Sequence, residues 1–159
     1  MNGSVQDAPA GAPISAHFVN NVLAAAASLI EEDPDLARDV LAELGQFLSY
    51  RLRDVPAPVP VSQELAHVAT FVRLQQARFP DRISADLNAS AGGGRTVEPG
   101  ALQRPLAEAL GRRLSAIAGP CELTLRADGE HYALTLSGPG GAEPERIAIA
   151  LPTPEGAST

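Results

Sequence analysis

Residues 14–54 read ISAHFVNNVLAAAASLIEEDPDLARDVLAELGQFLSYRLRD, and this stretch decides the fold. Ile14, Phe18, Val22, Ala25 and Leu29 recur at intervals of three and four, which on an α-helix makes one apolar stripe that must be buried. The spacing predicts a first helix from Pro13 to about Glu32. Asp33-Pro34 punctuates the pattern, because proline suits the first turn of a new helix and the aspartate can cap its open amides. A second helix then carries Leu36, Val40, Leu44, Phe47 and Leu48 on one face and ends near Leu52.

On the N-terminal side, residues 1–12 (MNGSVQDAPAGA) are small and polar with no apolar period, the pattern of a disordered arm. On the C-terminal side, prolines 56, 58 and 60 make an extended connector. A third helix opens at Val61 or Ser62, aligns Leu65, Val68 and Val72, and stops at Phe79-Pro80. The style then changes. An alternating run at Ile83, Ala85 and Leu87 leads through Gly92-Gly93-Gly94 to a helix from about Pro99 to Ala118. Alternating runs at 121–127 and 131–137, joined by Asp128-Gly129, read as a hairpin, and a last strand is expected from Ile147 to Leu151. The order is three helices, then βαβββ, so the expected class is α+β: an N-terminal helical hairpin or bundle followed by a small α/β layer.

Composition narrows the chemistry. All 12 basic residues are arginine, which removes the phosphate-loop lysine, Schiff-base chemistry and a kinase-type strand lysine. A net charge of −7, with no basic patch among aromatics, argues against nucleic acid or an anionic membrane as a partner. Cys121 stands alone, and His17, His67 and His131 are scattered, so neither a disulfide nor a metal site is expected. No apolar run reaches the length of a membrane span, and no signal peptide is recognisable, so the expected location is the cytoplasm. Only 4% of residues are aromatic, so the core should be mainly Leu, Ile, Val and Ala.

His17 falls roughly 100° from the centre of the first helix's stripe, beside the core and open to solvent. Asn21 follows one turn later on the same face. His67 next to Val68 reads as a surface or half-buried residue, and His131 as a strand-face residue. Arg112-Arg113 suits the negative end of a helix dipole.

These segments resemble the LytS/YehU-type sensor histidine kinases. The likeness runs from about Ile14 to Ile83. His17, Phe18 and Asn21 stand where that family has a phosphoacceptor histidine in a Pro-His-Phe-x-x-Asn context, with Ala16 replacing the proline. Asp33-Pro34 with Ala37-Arg38, the Phe47–Leu52 segment, Glu64-Leu65, and Ala77-Arg78-Phe79 with Asp81-Arg82 also match in order. The resemblance implies a homodimerising helical and phosphoacceptor domain at 13–80. It further implies a degenerate, shortened ATPase-like layer at 81–153, with a tail at 154–159.

The ATPase side of the resemblance is incomplete. LQRPLAEALGRRL resembles the family's LQPLVENAxxHG helix, but the acid and asparagine fall on Ala107 and Glu108, and no asparagine occurs after Asn88. The glycine-rich aspartate motif finds only Ser137-Gly138-Pro139-Gly140-Gly141, with Leu136 and Ser137 at the Asp-x positions. The short stretch beyond Gly141 leaves little room for an ATP lid. No cofactor and no bound metal are therefore expected, and autophosphorylation from ATP should be lost.

Two functions follow. In the first, the chain is a histidine phosphotransferase that relays phosphoryl groups between receiver-domain aspartates, with His17 as phosphoacceptor and Asn21 as positioning group. Its partners would be response-regulator receiver domains. In the second it is a non-catalytic dimeric pseudokinase, a scaffold for a partner kinase or regulator. The exposed acidic run Glu31-Glu32-Asp33-Asp35 suits the first reading less well.

Overall fold

The computed structural model describes residues 15–52, 58–87, 94–128, 131–139 and 143–150. The arm read over 1–12, residues 13 and 14, Gly92-Gly93, Gly129, Gly140-Gly141 and the tail at 154–159 lie outside the described residues. The fold is α+β. Three helices come first: α1 (Ala16–Leu29), α2 (Pro34–Leu52) and α3 (Val61–Arg78). A layer follows, built from β2 (Ile83–Asp86), α4 (Gln103–Ala116), β4 (Cys121–Asp128), β5 (His131–Ser137) and β6 (Glu145–Ala150). Its sheet runs in the order β2-β4-β5-β6, with β2 parallel to β4 and the remaining pairs antiparallel.

The first helix ends earlier than its periodicity suggests. Residues 30–32 form a turn in which the Asp33 amide donates to the Leu29 carbonyl at 2.8 Å. Asp33 then caps α2 as expected, its Oδ1 accepting from the Leu36 amide at 3.0 Å. α4 starts later than expected because Gly100 has φ +88°, a left-handed conformation that an α-helix does not contain.

The proline connector does more than extend. Val59–Pro60 form β1, which pairs antiparallel with β3 (Thr96–Val97), Val59 opposite Val97, and both valines are buried. This two-stranded ribbon ties the entry of α3 to the segment that precedes α4.

α3 sits in the middle of the molecule. It packs against α1 and α2 on one side and against α4, β1, β2 and β3 on the other. Its buried residues therefore encircle it, from Val61 and Glu64 through His67, Val68, Phe71 and Val72 to Leu74 and Gln75. In α2 the buried stripe is Ala37, Val40, Leu44 and Phe47, while Leu36, expected inside, is exposed. Leu106, Ala109 and Leu110 of α4 cover Leu123, Leu125, Tyr132, Leu134 and Leu136 of the sheet, and one apolar core runs from α1 to β6.

The few aromatic residues are not dispersed. Phe18, Phe47 and Phe71 meet with ring centroids 5.3–6.1 Å apart, on α1, α2 and α3 respectively. His67 lies in the same cluster, stacked 4.8 Å from Phe47 and 4.1 Å from Tyr50. It is 4% exposed, which overturns the reading of it as a surface or half-buried residue. α3 is covered on both sides, so its flank positions are interior.

Candidate functional site: the His17 groove

His17 stands in the first turn of α1, fully on the outer side of the helix, beside the half-buried Phe18. Ser15 caps that helix, its Oγ accepting from the Phe18 amide at 3.4 Å. Asn21 lies four residues along, and its Nδ2 is 3.1 Å from His17 Nε2. An amide nitrogen only donates, so in this contact Nε2 is the acceptor, which fits the ring tautomer with its proton on Nδ1. Nε2 thereby keeps the lone pair that a nucleophile requires.

The imidazole opens onto a groove of about 540 Å³ whose walls come from all four helices. Phe18, Phe47 and Phe71 form its floor, and Arg51, Arg78 and Arg104 reach its rim together with Gln75, Gln103 and Glu108. Three of the chain's 12 arginines thus gather beside His17 in a protein of net charge −7. Arg78 donates to Gln75 Oε1 at 3.0 Å and lies 5.7 Å over the Phe18 ring. Burial lowers its pKa from the ordinary guanidinium value. Arg51 donates to Gln103 Oε1 at 3.3 Å. Ala107 and Glu108, the positions where the resemblance places an acid and an asparagine, line this same groove.

Other residues of the matching segments turn out to hold α4 in place. Glu64 is completely buried. Its Oε1 accepts from the Leu102 and Gln103 amides, both at 3.3 Å, and its Oε2 from the Tyr50 hydroxyl at 2.7 Å. A carboxylate thereby satisfies open amides at the positive end of α4. Burial and this carboxylate push the Tyr50 hydroxyl well above the usual phenol range. At the other end of α4, Arg82 donates to the carbonyls of Leu114, Ile117 and Gly119 at 3.2, 2.7 and 3.3 Å. Its approach follows a sharp bend at Asp81, which has φ +63°.

Neither ring nitrogen of His67 has a hydrogen-bond partner. Burial, helped by the nearby Arg51 charge, lowers its pKa to about 4. His131 is exposed on β5 opposite Asp128. Arg112 and Arg113 do more than answer the α4 dipole, since Arg112 pairs with Glu145 at 2.7 Å and Arg113 donates to the Glu143 carbonyl at 3.2 Å. Gly138, in the glycine-rich match, is a close-approach residue: a Cβ there would lie 2.7 Å from Ile117 Cδ1. Among the described residues no His, Cys, Asp and Glu side chains converge as a metal site, and no helix is long and apolar enough to cross a membrane.

Sequence reasoning reached His17 and Asn21 because their contact is one helical turn. It passed over the arginine rim and the clamps on α4, whose residues are far apart along the chain. An acid in the first turn of α3, four residues after Pro60, was the available signal for Glu64.

Residues 11–83 match the family model described as Histidine kinase. The chain is 36% identical over 78 residues to the sensor protein LytS of Oceanobacillus iheyensis, covering 48% of this chain and 13% of that protein. It is 36% identical over 72 residues to LytS of Enterococcus faecalis, covering 45% and 12%. The sensor protein kinase HptS of Staphylococcus aureus is 34% identical over 74 residues, covering 46% and 14%. The match therefore spans about an eighth of the length of these relatives.

Proposed function

We propose, from the premise that residues 11–83 of this chain belong to the histidine kinase family, that it works in two-component signalling as a histidine phosphotransferase. It relays phosphoryl groups between receiver-domain aspartates through His17 and binds no ATP. The observation that carries this reading is the setting of His17, an exposed imidazole whose Nε2 is in contact with the Asn21 amide nitrogen at the mouth of a groove rimmed by arginines.

In the forward step the Nε2 lone pair attacks the phosphorus of an aspartyl phosphate. The bond from phosphorus to the aspartyl oxygen breaks, and the carboxylate leaves with that electron pair. The phosphoryl group returns to a second aspartate by the reverse path. Asn21 gives up Nε2 in this step, and its amide is then free to donate to a phosphoryl oxygen.

Two features favour an external phosphoryl source over ATP. No asparagine follows Asn88, and Ala107 and Glu108 occupy the positions at which the family resemblance places the acid and the asparagine. The layer is also fastened. Glu64 and Arg82 hold both ends of α4, the β1–β3 ribbon ties its approach, and the core is continuous beneath it. A layer that delivers ATP to a histidine has to swing, and burial of this seam opposes that motion.

The chain acts as a homodimer. Leu23 of α1, Ile30 just beyond its end, and Leu36, Leu41 and Leu52 of α2 are 43–74% exposed, a set of large apolar side chains that a second copy would cover in a helical bundle. Sedimentation equilibrium checks this, with a dimer expected and a monomer at micromolar concentration contradicting it. We place the protein in the cytoplasm, where the buried Cys121, its thiol pKa raised by burial, stays reduced.

The test is transfer of labelled phosphate from a panel of phosphorylated receiver domains to the protein and to a His17→Ala variant of matched stability. Label on the wild type and none on the variant is expected. A second reading, a non-catalytic dimeric pseudokinase that binds a partner kinase or regulator, is favoured by the exposed leucines alone. Binding to a receiver that is indifferent to His17, with no label transferred, decides for it.

A further inference from the structure

We propose that Arg104 of α4, together with Arg78 of α3, forms a phosphoryl-binding rim over His17, so that the ATPase-like layer receives the phosphoryl group itself instead of a nucleotide. The proposal rests on His17 being the phosphoacceptor.

Arg104 is exposed at the lip of the groove, and among the described residues its guanidinium makes no hydrogen bond or ion pair. It shares that lip with Arg51. The two guanidinium groups bracket Gly100, where an added Cβ would lie 3.3 Å from Arg51 Nη1 and 3.6 Å from Arg104 Nη2. Burial lowers the Arg51 pKa and the Arg104 charge adds to that, against the opposing pull of Glu64. Glu108 is the one acid among the described residues of the groove wall. In an acidic protein, the exposed Arg104 guanidinium at this lip, with Arg78 on the same groove, makes a local positive potential suited to a compact dianion.

The donor geometry fits. Each guanidinium presents a planar fork of N–H groups that can span two oxygens of a phosphoryl group. Arg78 uses one arm on Gln75 and rests over Phe18, the residue next to His17 in the chain, which leaves its other N–H groups on the same wall. Because His17 lines the same groove as Arg78 and Arg104, a phosphoryl group carried on its ring has both guanidinium groups on the surrounding walls. With α1 and α4 lining one groove, the site has two sides for an anion.

Phosphoramidate tests this without any partner protein. Nε2 attacks phosphorus, the phosphorus–nitrogen bond of phosphoramidate breaks, ammonia leaves, and the remaining ring proton goes to water. The initial labelling rate of His17 is measured on the full chain for the wild type, Arg104→Gln, Arg104→Lys and, as a control on the same helix, Arg112→Gln. Loss of one charge-assisted contact should slow Arg104→Gln roughly fivefold. Arg104→Lys should recover part of the rate, and Arg112→Gln should match the wild type. In parallel, inorganic phosphate is titrated while the His17 ring nitrogen signals are followed, with a saturable shift expected in the wild type and a weaker one in Arg104→Gln. Equal labelling and equal phosphate response in wild type and Arg104→Gln overturn the proposal. If the wild type takes no label yet shows the Arg104-dependent phosphate shift, the anion site stands and the phosphoacceptor reading falls.

Discussion

The rim around His17 and the seam between α3 and α4 are built from the same residue types and do opposite things. At the rim, His17, Asn21 and Arg104 are exposed or half-buried and loosely held. In the seam, His67 is enclosed and stacked, while Glu64 and Arg82 accept or donate three hydrogen bonds each, all to groups on other elements. An imidazole in water is a reagent, and the same ring between Phe47 and Tyr50 is a packing group. Burial decides the difference: in the seam, any group left unpaired costs its full desolvation energy, whereas at the rim water replaces a lost partner.

The sharpest way to break this contrast is Glu64→Ala. It strands the Tyr50 hydroxyl and two amides at the start of α4, so a loss of about 4 kcal/mol in urea unfolding is expected. A loss under about 1 kcal/mol would mean that the seam does not hold the layer. Next comes Arg82→Met, which frees three carbonyls at the C-terminal end of α4 and should cost about 2 kcal/mol. Hydrogen exchange should show faster opening of α4 in this variant, with α1 unchanged.

Acid probes the seam through His67. Its folded pKa of about 4 lies below the ordinary 6.5, so between those values the unfolded chain takes up a proton that the folded chain refuses. This contribution is complete above pH 6.5 and falls by about 3 kcal/mol as the pH drops to 4. Replacing His67 by Phe should flatten that part of the pH profile. The smallest effect on folding belongs to the rim. His17→Ala and Asn21→Ala should each leave unfolding within about 0.5 kcal/mol of wild type. Under the proposed relay, His17→Ala should nevertheless abolish phosphoryl uptake in the labelled-transfer assay, and Asn21→Ala should slow it.

How much of this was legible beforehand follows from how far each interaction reaches. Helix lengths came close because apolar period, the Asp33 cap and the prolines are local signals. The start of α4 was missed by a few residues because the left-handed Gly100 depends on the ribbon and seam around it. β1 and β3 are too short to show alternation, and pairing alone creates them. Leu36 was assigned to the interior and lies outside, because two faces of α2 are apolar and packing against α1 and α3 selected the one through Ala37 and Val40.

The sequence by itself determined the α+β order of elements and the His17–Asn21 pair, since both rest on contacts within a few residues along a helix. Only the tertiary structure decided that His67 is interior, that Glu64 and Arg82 grip the two ends of α4, and that Arg51, Arg78 and Arg104 share one groove with His17. Each of these depends on which helix faces come to lie against one another, and a helix period states only that a face is buried, never what buries it.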